Sequence, residues 1–567
     1  LEPNNYILFA IKKSIKENLQ KALESAITSG DLPELGEVEI LLEKPRDTEH
    51  GDIATNIALT LTKKARQSPR QIAEKIASHF ALPHHVEKVE IAGPGFINFY
   101  LDKEWHYEVL KEIASYQKDY GNSSYGKGQK VQIEFVSANP TGPLVVVNAR
   151  AAAVGDSLTR VMSAVGYSVQ KEFYINDAGK QVNKMGMAME TRLRQLLGED
   201  AELPEGAYPG EYLIPIAQEY LDTFGKERVL DVFTWDEKHK LDEFSYYAIQ
   251  KLVSGQKETL RRYGVEFDVW FSEQSLTEMR AQEDTLYYLQ SEGFIYEQDG
   301  ALWFRSTQFG DDKDRVLVRS DGSFTYFLSD IAYHRQKLQR GYNKIIDIWG
   351  ADHHGYIERM HAGVQALGYS RDTLEILITQ MVRLIRGGEL VRMSKRAGEY
   401  ITMDEFLEEV GTDAARYFFL MRSSDAHLDF DLDLARLQGN QNPVYYVQYA
   451  HARIAGIIRQ AKEEGLDLPA IADVNLAILE HPSELALLAK IAELPEELIV
   501  SASSREPHRL THYAQDLANF FHVFYTQCRV LGEEKETTEA RLVLIESVRI
   551  VMEKVLNLLG VSAPERM

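Results

Sequence analysis

Three stretches of the chain place reactive side-chain types at spacings that could do chemistry. The first is Glu134-Phe-Val-Ser-Ala-Asn-Pro-Thr-Gly-Pro-Leu-Val-Val-Val-Asn-Ala-Arg150. Here a carboxylate closes a β-rich run and a proline–glycine loop leads into a helical pattern, so Glu134 is either a solvated strand end or a ligand group. The second is Gly350-Ala-Asp-His-His-Gly355, just after a strand-like run. Open α/β folds place ligands beyond the carboxyl ends of their strands. A metal site is the alternative reading of Asp352, His353 and His354, set aside because no third and fourth ligand follow at a suitable spacing. The third is the basic run Arg392-Met-Ser-Lys-Arg396, between Gly387-Gly388 and Ala397-Gly398. Such a run is either a solvated face or a mobile loop that closes over phosphates.

These residues need rigid elements behind them. Val131–Val136 alternates and is β-rich, so it reads as a strand; Pro140, Gly142 and Pro143 force a loop. A helix follows, with the apolar stripe Val154, Leu158, Val161 and Val165. Further strands are expected at Lys344–Trp349 and Leu374–Gln380, in an α/β region reaching to about residue 370. Residues 185–275 are helical and charged and read as an insertion. Before them, Leu8–Ala26 reads as a helix, Val38–Leu42 as a strand and Gly51–Ala65 as a helix with Ile53, Ile57 and Leu61 on one face. Val86–Ile91 and Phe96–Tyr100 read as paired strands around Gly93-Pro94-Gly95, and Tyr120–Gly128 as a boundary. From Tyr445 onward the pattern is helical throughout, as in Ala540–Leu559.

With 567 residues, the chain exceeds what one core supports, and several domains are expected. Hydrophobic residues make up 44 % and charged ones 26 %, which places it among soluble globular proteins. No apolar run approaches a membrane span, and the start is a charged amphipathic pattern rather than a signal peptide. One cysteine, Cys528, excludes an internal disulfide and thiolate-rich zinc sites, and a reducing cytoplasm is the expected home. The net charge of −23 argues against indiscriminate nucleic-acid binding, which needs a basic field. A specific RNA partner held by local basic patches stays open.

The motifs and their order resemble bacterial arginyl-tRNA synthetases, of class I, along essentially the whole chain. Those motifs are Gly51–Ala65 with Gly93-Pro-Gly-Phe-Ile-Asn-Phe99, Ser137–Pro143, Tyr174-Ile-Asn-Asp-Ala-Gly179 and Trp349–Gly355. Val391–Gly398, Asp413-Ala-Ala-Arg-Tyr-Phe-Phe419, His427–Asp433 and the terminus Leu559–Met567 continue the series. The resemblance implies a multidomain α/β chain: a tRNA-contacting α/β domain over 1–112, a Rossmann-like parallel-sheet catalytic domain over 125–440, and an all-helical anticodon-binding domain over 441–567. It implies ATP-dependent activation of L-arginine to arginyl-adenylate, then transfer to tRNA(Arg), with Mg2+ accompanying the ATP, in a cytoplasmic monomer.

The same resemblance assigns residues. Glu134, Ser137, Asn139, Tyr326 and Asp330 match the arginine-binding positions. Glu134 and Asp330 would face the guanidinium, a planar cation that wants carboxylates in a fork geometry. Asn139 would hold the α-amino or carboxylate end, and Tyr326 would pack nearby. Lysine lacks the planar fork, so selectivity can come from binding alone, without an editing domain. Arg392, Ser394 and Lys395 match the Lys-Met-Ser-Lys-Ser loop, with Lys395 on the departing pyrophosphate. Pro140, Thr141, Gly142, Val145, Val147, Asn148, Gly350, Asp352, His353, His354, Met393 and Lys395 match ATP-binding positions. In the N-terminal domain Lys63, Lys64 and Arg66 are candidates for phosphate contact. In the C-terminal domain the candidates are Tyr445, Tyr446, Tyr449, His451, His512, Tyr513, Asn519, Phe520, His522, Tyr525 and Gln527.

One departure stands out. The family carries His-x-Gly-His, or His-x-Gly-Asn, where this chain reads Val145-Val-Val-Asn148. Val145 cannot donate to a phosphate, and Val147 adds bulk where glycine permits close approach. Asn148 keeps a side-chain donor and stays with the catalytic set. Weakened adenylate formation is expected. The alternative is a catalytically inactive tRNA- and arginine-binding relative. Other class I synthetases fit less well: the cysteinyl enzyme needs a thiolate-rich zinc site, and the leucine, isoleucine and valine enzymes carry large editing insertions.

Overall fold

A computed structural model describes residues 6–45, 47–205, 207–208, 210–391 and 401–567, without the side chains of Thr48 and Lys180. No helix among these residues is long and apolar enough to cross a membrane. The N-terminal part is α/β. Helix α1 (Ile7–Thr28) buries Ile11, Ile15 and Leu19, and packs with α2 (Ile57–Ala65), α3 (Pro69–His79) and α4 (Glu104–Tyr116) around a three-stranded antiparallel sheet. Its strands are β1 (Ile53–Thr55), β2 (Val86–Ala92) and β3 (Phe96–Leu101), in the order β1-β3-β2. The expected pair β2–β3 is present, joined by a turn with Gly93 and Gly95 at positive φ.

Two expectations here need correction. Gly51–Ala65 is not one helix: Ile53–Thr55 pairs with β3, because Ile53 and Ala54 bury against the sheet before Asn56 starts α2. Val38–Leu42 is not a strand. Only Glu43 bridges Ala54, and the Thr55 hydroxyl holds Leu41 through its carbonyl. The alternation of Val38, Ile40 and Leu42 serves to pack half-buried side chains on the core without a partner ladder.

The central sheet is five-stranded and all parallel, in the order β11-β10-β4-β5-β6. The strands are β4 (Lys130–Glu134), β5 (Ser168–Ile175), β6 (Val269–Ser272), β10 (Lys344–Gly350) and β11 (Leu374–Thr379). The strand order reverses between β4 and β10, which is the switch point where open α/β sheets bind ligands. Helix α5 (Val146–Ala164) crosses from β4 to β5, and almost every side chain along it is buried. Helices α6 (Lys180–Leu196), α7 (Leu213–Phe233) and α8 (Glu237–Arg262) lie between β5 and β6 in sequence and pack on one another. After β6 come α9 (Gln274–Glu278), α10 (Ala281–Ser291) and a small antiparallel sheet of β7 (Ile295–Gln298), β8 (Ala301–Phe304) and β9 (Arg315–Val318). Helix α11 (Tyr326–Gln339) leads to β10, and α12 (Ile357–Ala366) from β10 to β11.

A third sheet joins β12 (Val382–Arg386), β13 (Glu389–Leu390) and β14 (Leu428–Asp431) beside α13 (Met403–Val410), α14 (Thr412–Leu420) and α15 (Leu432–Arg436). Gly387 and Gly388, expected beside the basic loop, form a turn of their own. Both have positive φ and close a two-residue hairpin between β12 and β13, the turn that glycine pairs favour. The remainder is helical: α16 (Pro443–Glu463), α17 (Pro482–Ala492), α18 (Leu494–Ser504), α19 (Arg509–Gln527) and α20 (Lys535–Leu559).

Within β4, Gln132 is fully buried and neither its Nε2 nor its Oε1 has a hydrogen-bond partner. An orphaned buried amide costs about 1–3 kcal/mol. Gln132→Leu, of similar volume, is expected to raise the thermal unfolding midpoint in calorimetry. A lower midpoint would mean the amide is satisfied after all.

Candidate active site

Three neighbouring strands carry carboxylates in one lateral row. Glu134 of β4 is in register with Glu172 of β5 on one side and with Asp347 of β10 on the other. Equal register puts all three on one face of the sheet. All are at least nine-tenths buried, which demands partners. Helix α11 supplies them. Lys337 bonds to Glu134 and donates to Asp347 at 2.8 Å. Arg340 forks onto Glu172 at 2.5 and 2.9 Å. The Tyr333 hydroxyl sits 2.8 Å from Glu134 and 2.5 Å from Glu172 and shares its one proton between them. His334 Nε2 lies 2.8 Å from Asp347. Burial would raise the Asp347 and Glu172 carboxyls. Lys337 and His334 overcome it at Asp347, and Arg340 and Lys337 at Glu172, so both lie below the usual range.

Glu134 therefore stands in a fixed orientation. Its Oε1 accepts from the Ser137 hydroxyl at 2.8 Å, and Ser137 Oγ in turn accepts from the backbone N–H of Tyr174 at 3.1 Å. Ser137 and its neighbour Val136 both have positive φ, at 39° and 70°. For a β-branched valine that is a strained backbone, of the kind held at ligand sites. A carboxylate oxygen has two lone pairs, so Oε1 can accept one bond more.

One turn earlier on α11, Asp330 has a different environment. Its Oδ2 accepts from the Tyr356 hydroxyl at 2.6 Å. Burial, with Glu134 nearby, raises its carboxyl above the usual value despite that bond. Beyond the end of β6, burial and the charges of Asp330 and Asp177 push Glu273 up to about 7. No Lys or Arg pairs with Asp330 or Glu273 among the described residues. The carboxylate row has its Lys and Arg partners; this second pair of acids has none among the described residues, an arrangement suited to a cationic group.

Other expected residues are placed as follows. Tyr326 starts α11 and is 66 % exposed, one turn from Asp330. Asn139 is exposed, and Pro140 is buried. Asp352, His353 and His354 are exposed on the turn after β10, with His353 close enough to Asp330 to lower its carboxyl slightly. The turn starts at Gly350, whose exposed position leaves it next to Asp352. Arg392, Met393, Ser394 and Lys395, with Ala397 and Gly398, lie outside the described residues. Both flanks of that segment are anchored: Val391 donates to the Leu384 carbonyl at 2.9 Å, and Met403 to the Leu144 carbonyl at 2.7 Å, beside a Val145–Thr402 bridge.

Val145 is the N-cap of α5, and the Asn148 Oδ1 accepts from its backbone N–H at 2.9 Å. A valine side chain has no acceptor, so the reciprocal half of a capping box is missing. Val146 is buried, whereas Val147 is 40 % exposed and projects from the first turn. Farther along, Arg150 is 1 % exposed and donates at 2.9 Å to the carbonyls of Gln380, Ser423 and Ala426.

The all-helical part carries an open aromatic face. Tyr445 stacks with Tyr449, Tyr446 lies against His522, and Arg453 stands 4.2 Å over Tyr525 while donating to the Tyr449 hydroxyl. His512, Asn519 and Gln527 are exposed, and Phe520 is half-buried. His451 and Tyr513 are not on this face. They are 1 % and 3 % exposed, bonded to the carbonyls of Pro564 and Lys490, and are core. Near the N-terminal sheet Lys63 and Arg66 are exposed, while Lys64 is committed to the carbonyls of Leu35 and Glu37.

Three family descriptions match the chain in succession: "Arginyl tRNA synthetase N terminal domain" over residues 10–101, "tRNA synthetases class I (R), catalytic domain" over 109–425, and "DALR anticodon binding domain" over 447–567. The chain belongs to the arginyl-tRNA synthetase family. It is 50 % identical over 558 residues to a protein named arginine–tRNA ligase from Desulforamulus reducens, covering 98 % of this chain and 99 % of that one. A ligase of the same name from Carboxydothermus hydrogenoformans is 49 % identical over 562 residues, covering 99 % and 100 %. The crystal structure of a putative arginyl-tRNA synthetase from Campylobacter jejuni matches with a TM-score of 0.76 and 36 % identity, covering 82 % of this chain and all of that one. The Thermus thermophilus arginyl-tRNA synthetase shares the fold over 97 % of this chain and 100 % of its own, with a TM-score of 0.75 at 21 % identity. The fold is accordingly that of a class I synthetase of this family: an α/β N-terminal domain, a parallel-sheet catalytic domain and a helical C-terminal domain.

Sequence reasoning passed over Glu172, Asp347, Glu273, Tyr333, Lys337, Arg340 and Arg453. A signal existed for Asp347, a carboxylate inside the apolar run Ile345-Ile-Asp-Ile348. Tyr333, Lys337 and Arg340 recur at helical spacing on one face of α11.

Proposed function

We propose that this protein is an arginine–tRNA ligase whose adenylate-forming step is weakened by Val145 and Val147. The observation that carries the arginine assignment is the pair Asp330 and Glu273, acids without a cation at the switch point of the sheet. A guanidinium between them and the open lone pair of Glu134 would neutralise two carboxyls that burial raises above their ordinary values. Ser137 orients Glu134, and Asn139 lies within the same loop, where it can hold the α-amino or carboxylate end of the substrate. The arginine carboxylate oxygen attacks the α-phosphorus of ATP, and the bond to the bridging oxygen of pyrophosphate breaks. The adenylate's carbonyl is then attacked by a terminal ribose hydroxyl of tRNA(Arg), releasing AMP. The N-terminal amides of α5 face the phosphates as a helix N-terminus does. Lys395 and Arg392 would bring positive charge to the leaving pyrophosphate, with Ser394 as a hydroxyl donor.

Mg2+ would travel on the triphosphate, since that ion keeps most of its waters and needs few protein ligands. No cluster of three potential metal ligands occurs among the described residues. The aromatic face with Arg453 suits the stacking by which single-stranded loops of RNA are read, and domains divided near residues 112, 125 and 440 belong to the same reading. A cytoplasmic monomer remains part of it. The complete acid pocket favours a ligase over a protein that only binds.

The test is calorimetric titration of the full chain with arginine. Asp330→Asn should weaken arginine binding about tenfold to hundredfold, the worth of a charged hydrogen bond, and leave ATP binding within about twofold. A raised carboxyl is neutral at low pH and charged at high pH. Attraction for the guanidinium is therefore lost as pH falls through about 7, the value for Glu273. Unchanged affinity in the variant, or lysine binding as tightly as arginine, would sink the assignment.

A further inference from the structure

The 139–142 stretch of the loop between β4 and α5 is held through its backbone carbonyls. Gln256 of α8 donates its amide Nε2 to the Asn139 carbonyl at 3.2 Å and to the Gly142 carbonyl at 3.0 Å. The Tyr212 hydroxyl bonds to the Thr141 carbonyl between them. Gln256 is 2 % exposed, and its Oε1 has no partner. A buried amide that leaves its acceptor orphaned is costly. It is oriented for its two donors and nothing else.

The same face of α8 makes a second attachment. Three residues on, Thr259 donates its hydroxyl to Asp404 Oδ2 at 2.8 Å, and three further, Arg262 pairs with Asp404 at 3.4 Å. Positions three apart share a helix face. Asp404 lies in the first turn of α13, directly after Thr402 and Met403, which bridge to Val145 and Leu144. That stretch is the downstream anchor of the 392–400 segment. One helix thus touches both the 139–142 loop and the first turn of α13.

We propose that Gln256 and Thr259 are positioning residues, and that α8 is a strut that sets the spacing between the 139–142 loop and the α13 anchor. The inference rests on the ligase reading for its kinetic consequence. A catalytic site needs its walls held to fractions of an ångström, and a helix does this better than the two loops could alone. The strut acts on the approach of arginine to ATP rather than on the affinity for either. A lost strut therefore lowers kcat and leaves substrate binding in place.

Gln256→Met keeps volume and removes both the donors and the orphan acceptor; Thr259→Val keeps shape and removes the hydroxyl. In the full chain carrying V145H and V147G, each should lower kcat of ATP–pyrophosphate exchange roughly tenfold to hundredfold. The KM values for arginine and ATP should stay within about twofold. The double variant should lose less than the product of the two, because both release the same strut. Hydrogen exchange read on the full chain without those changes should rise together at 139–147 and 402–406 in either variant. Unchanged kcat, an effect on KM alone, multiplying effects, or exchange confined to α8 would each overturn the inference. Absence of any arginine-dependent exchange before Gln256 is touched would instead count against the ligase reading, and the hydrogen-exchange arm would still decide the strut.

Discussion

Replacing Val145 by His and Val147 by Gly together raises arginine-dependent ATP–pyrophosphate exchange, measured with tRNA(Arg) present, by about 10²–10³. The size follows from one donor aimed at charge that develops in the transition state, worth about 2.7–4 kcal/mol. The geometry is ready for it. Val145 is an N-cap in extended conformation, and it meets Thr402 through its backbone, which histidine preserves. Val147 is exposed on the first turn, so its isopropyl group stands where a nucleotide would approach and supports no core. Glycine there costs about 1 kcal/mol or less of helix stability. Asn148, already back-bonded to residue 145, stays in place. Arginine affinity in titration should change less than about twofold, because Asp330, Glu273 and Glu134 are untouched. If the unaltered chain already turns over as its relatives do, the deficit does not exist. If the double variant gains nothing, the loss is wider than this turn.

Short-range pattern made much of this visible in advance, and long-range pairing hid the rest. The strand ending at Glu134, the helix from Val146 and the strands at 344–350 and 374–379 carry their own periodicity, and all are present. The 53–55 strand was hidden because its apolar residues also fit a helical stripe, and only its pairing with β3 decides between them. Glu134 could be placed at a strand end, but not its role beside Glu172 and Asp347. That row exists only once β5, β4 and β10 lie in register, with Glu134 38 residues before Glu172 and 213 before Asp347 in the chain. The same holds for Glu273, whose perturbed carboxyl depends on Asp330 across the pocket. His451 and Tyr513 share residue type and helical spacing with the true surface aromatics. Burial separates them, and composition cannot. Gln256 gave no signal at all, since a glutamine on a charged helix is ordinarily solvent-facing.

Arg416→Met is expected to destabilise the folded chain by about 3–5 kcal/mol, the cost of breaking one side of a buried ion pair. Arg416 is wholly buried, and its guanidinium is shared among three elements. It donates to Asp156 of α5 at 2.7 Å, to the Leu559 carbonyl ending α20 at 2.8 Å and to the Tyr263 carbonyl at 3.2 Å. Gly560 has φ +68°, and a Cβ there would fall 2.3 Å from the guanidinium, so the helix end is shaped around this arginine. Methionine fills the space of the stem but takes the guanidinium from the Tyr263 carbonyl and leaves the Leu559 carbonyl with the Ser157 hydroxyl at 3.3 Å, with Arg160 and Lys171 as the remaining cations for Asp156. The pH dependence identifies the mechanism. Burial raises the Asp156 carboxyl, but Arg416, Arg160 and Lys171 outweigh it and hold the carboxyl below 3.8. A depressed carboxyl stabilises the fold above its unfolded value and loses that contribution as pH falls through the folded one. The gap in unfolding midpoint between parent and variant should therefore be full near neutrality and narrow in acid. Asp156→Asn combined with Arg416→Met should cost less than the sum of the two, since they break one network. Because α5 begins at Val146 and α20 closes the helical part, a folded Arg416→Met chain would also test whether the two ends are coupled. An unfolding midpoint equal to the parent's at pH 7 would show that the network contributes nothing to stability.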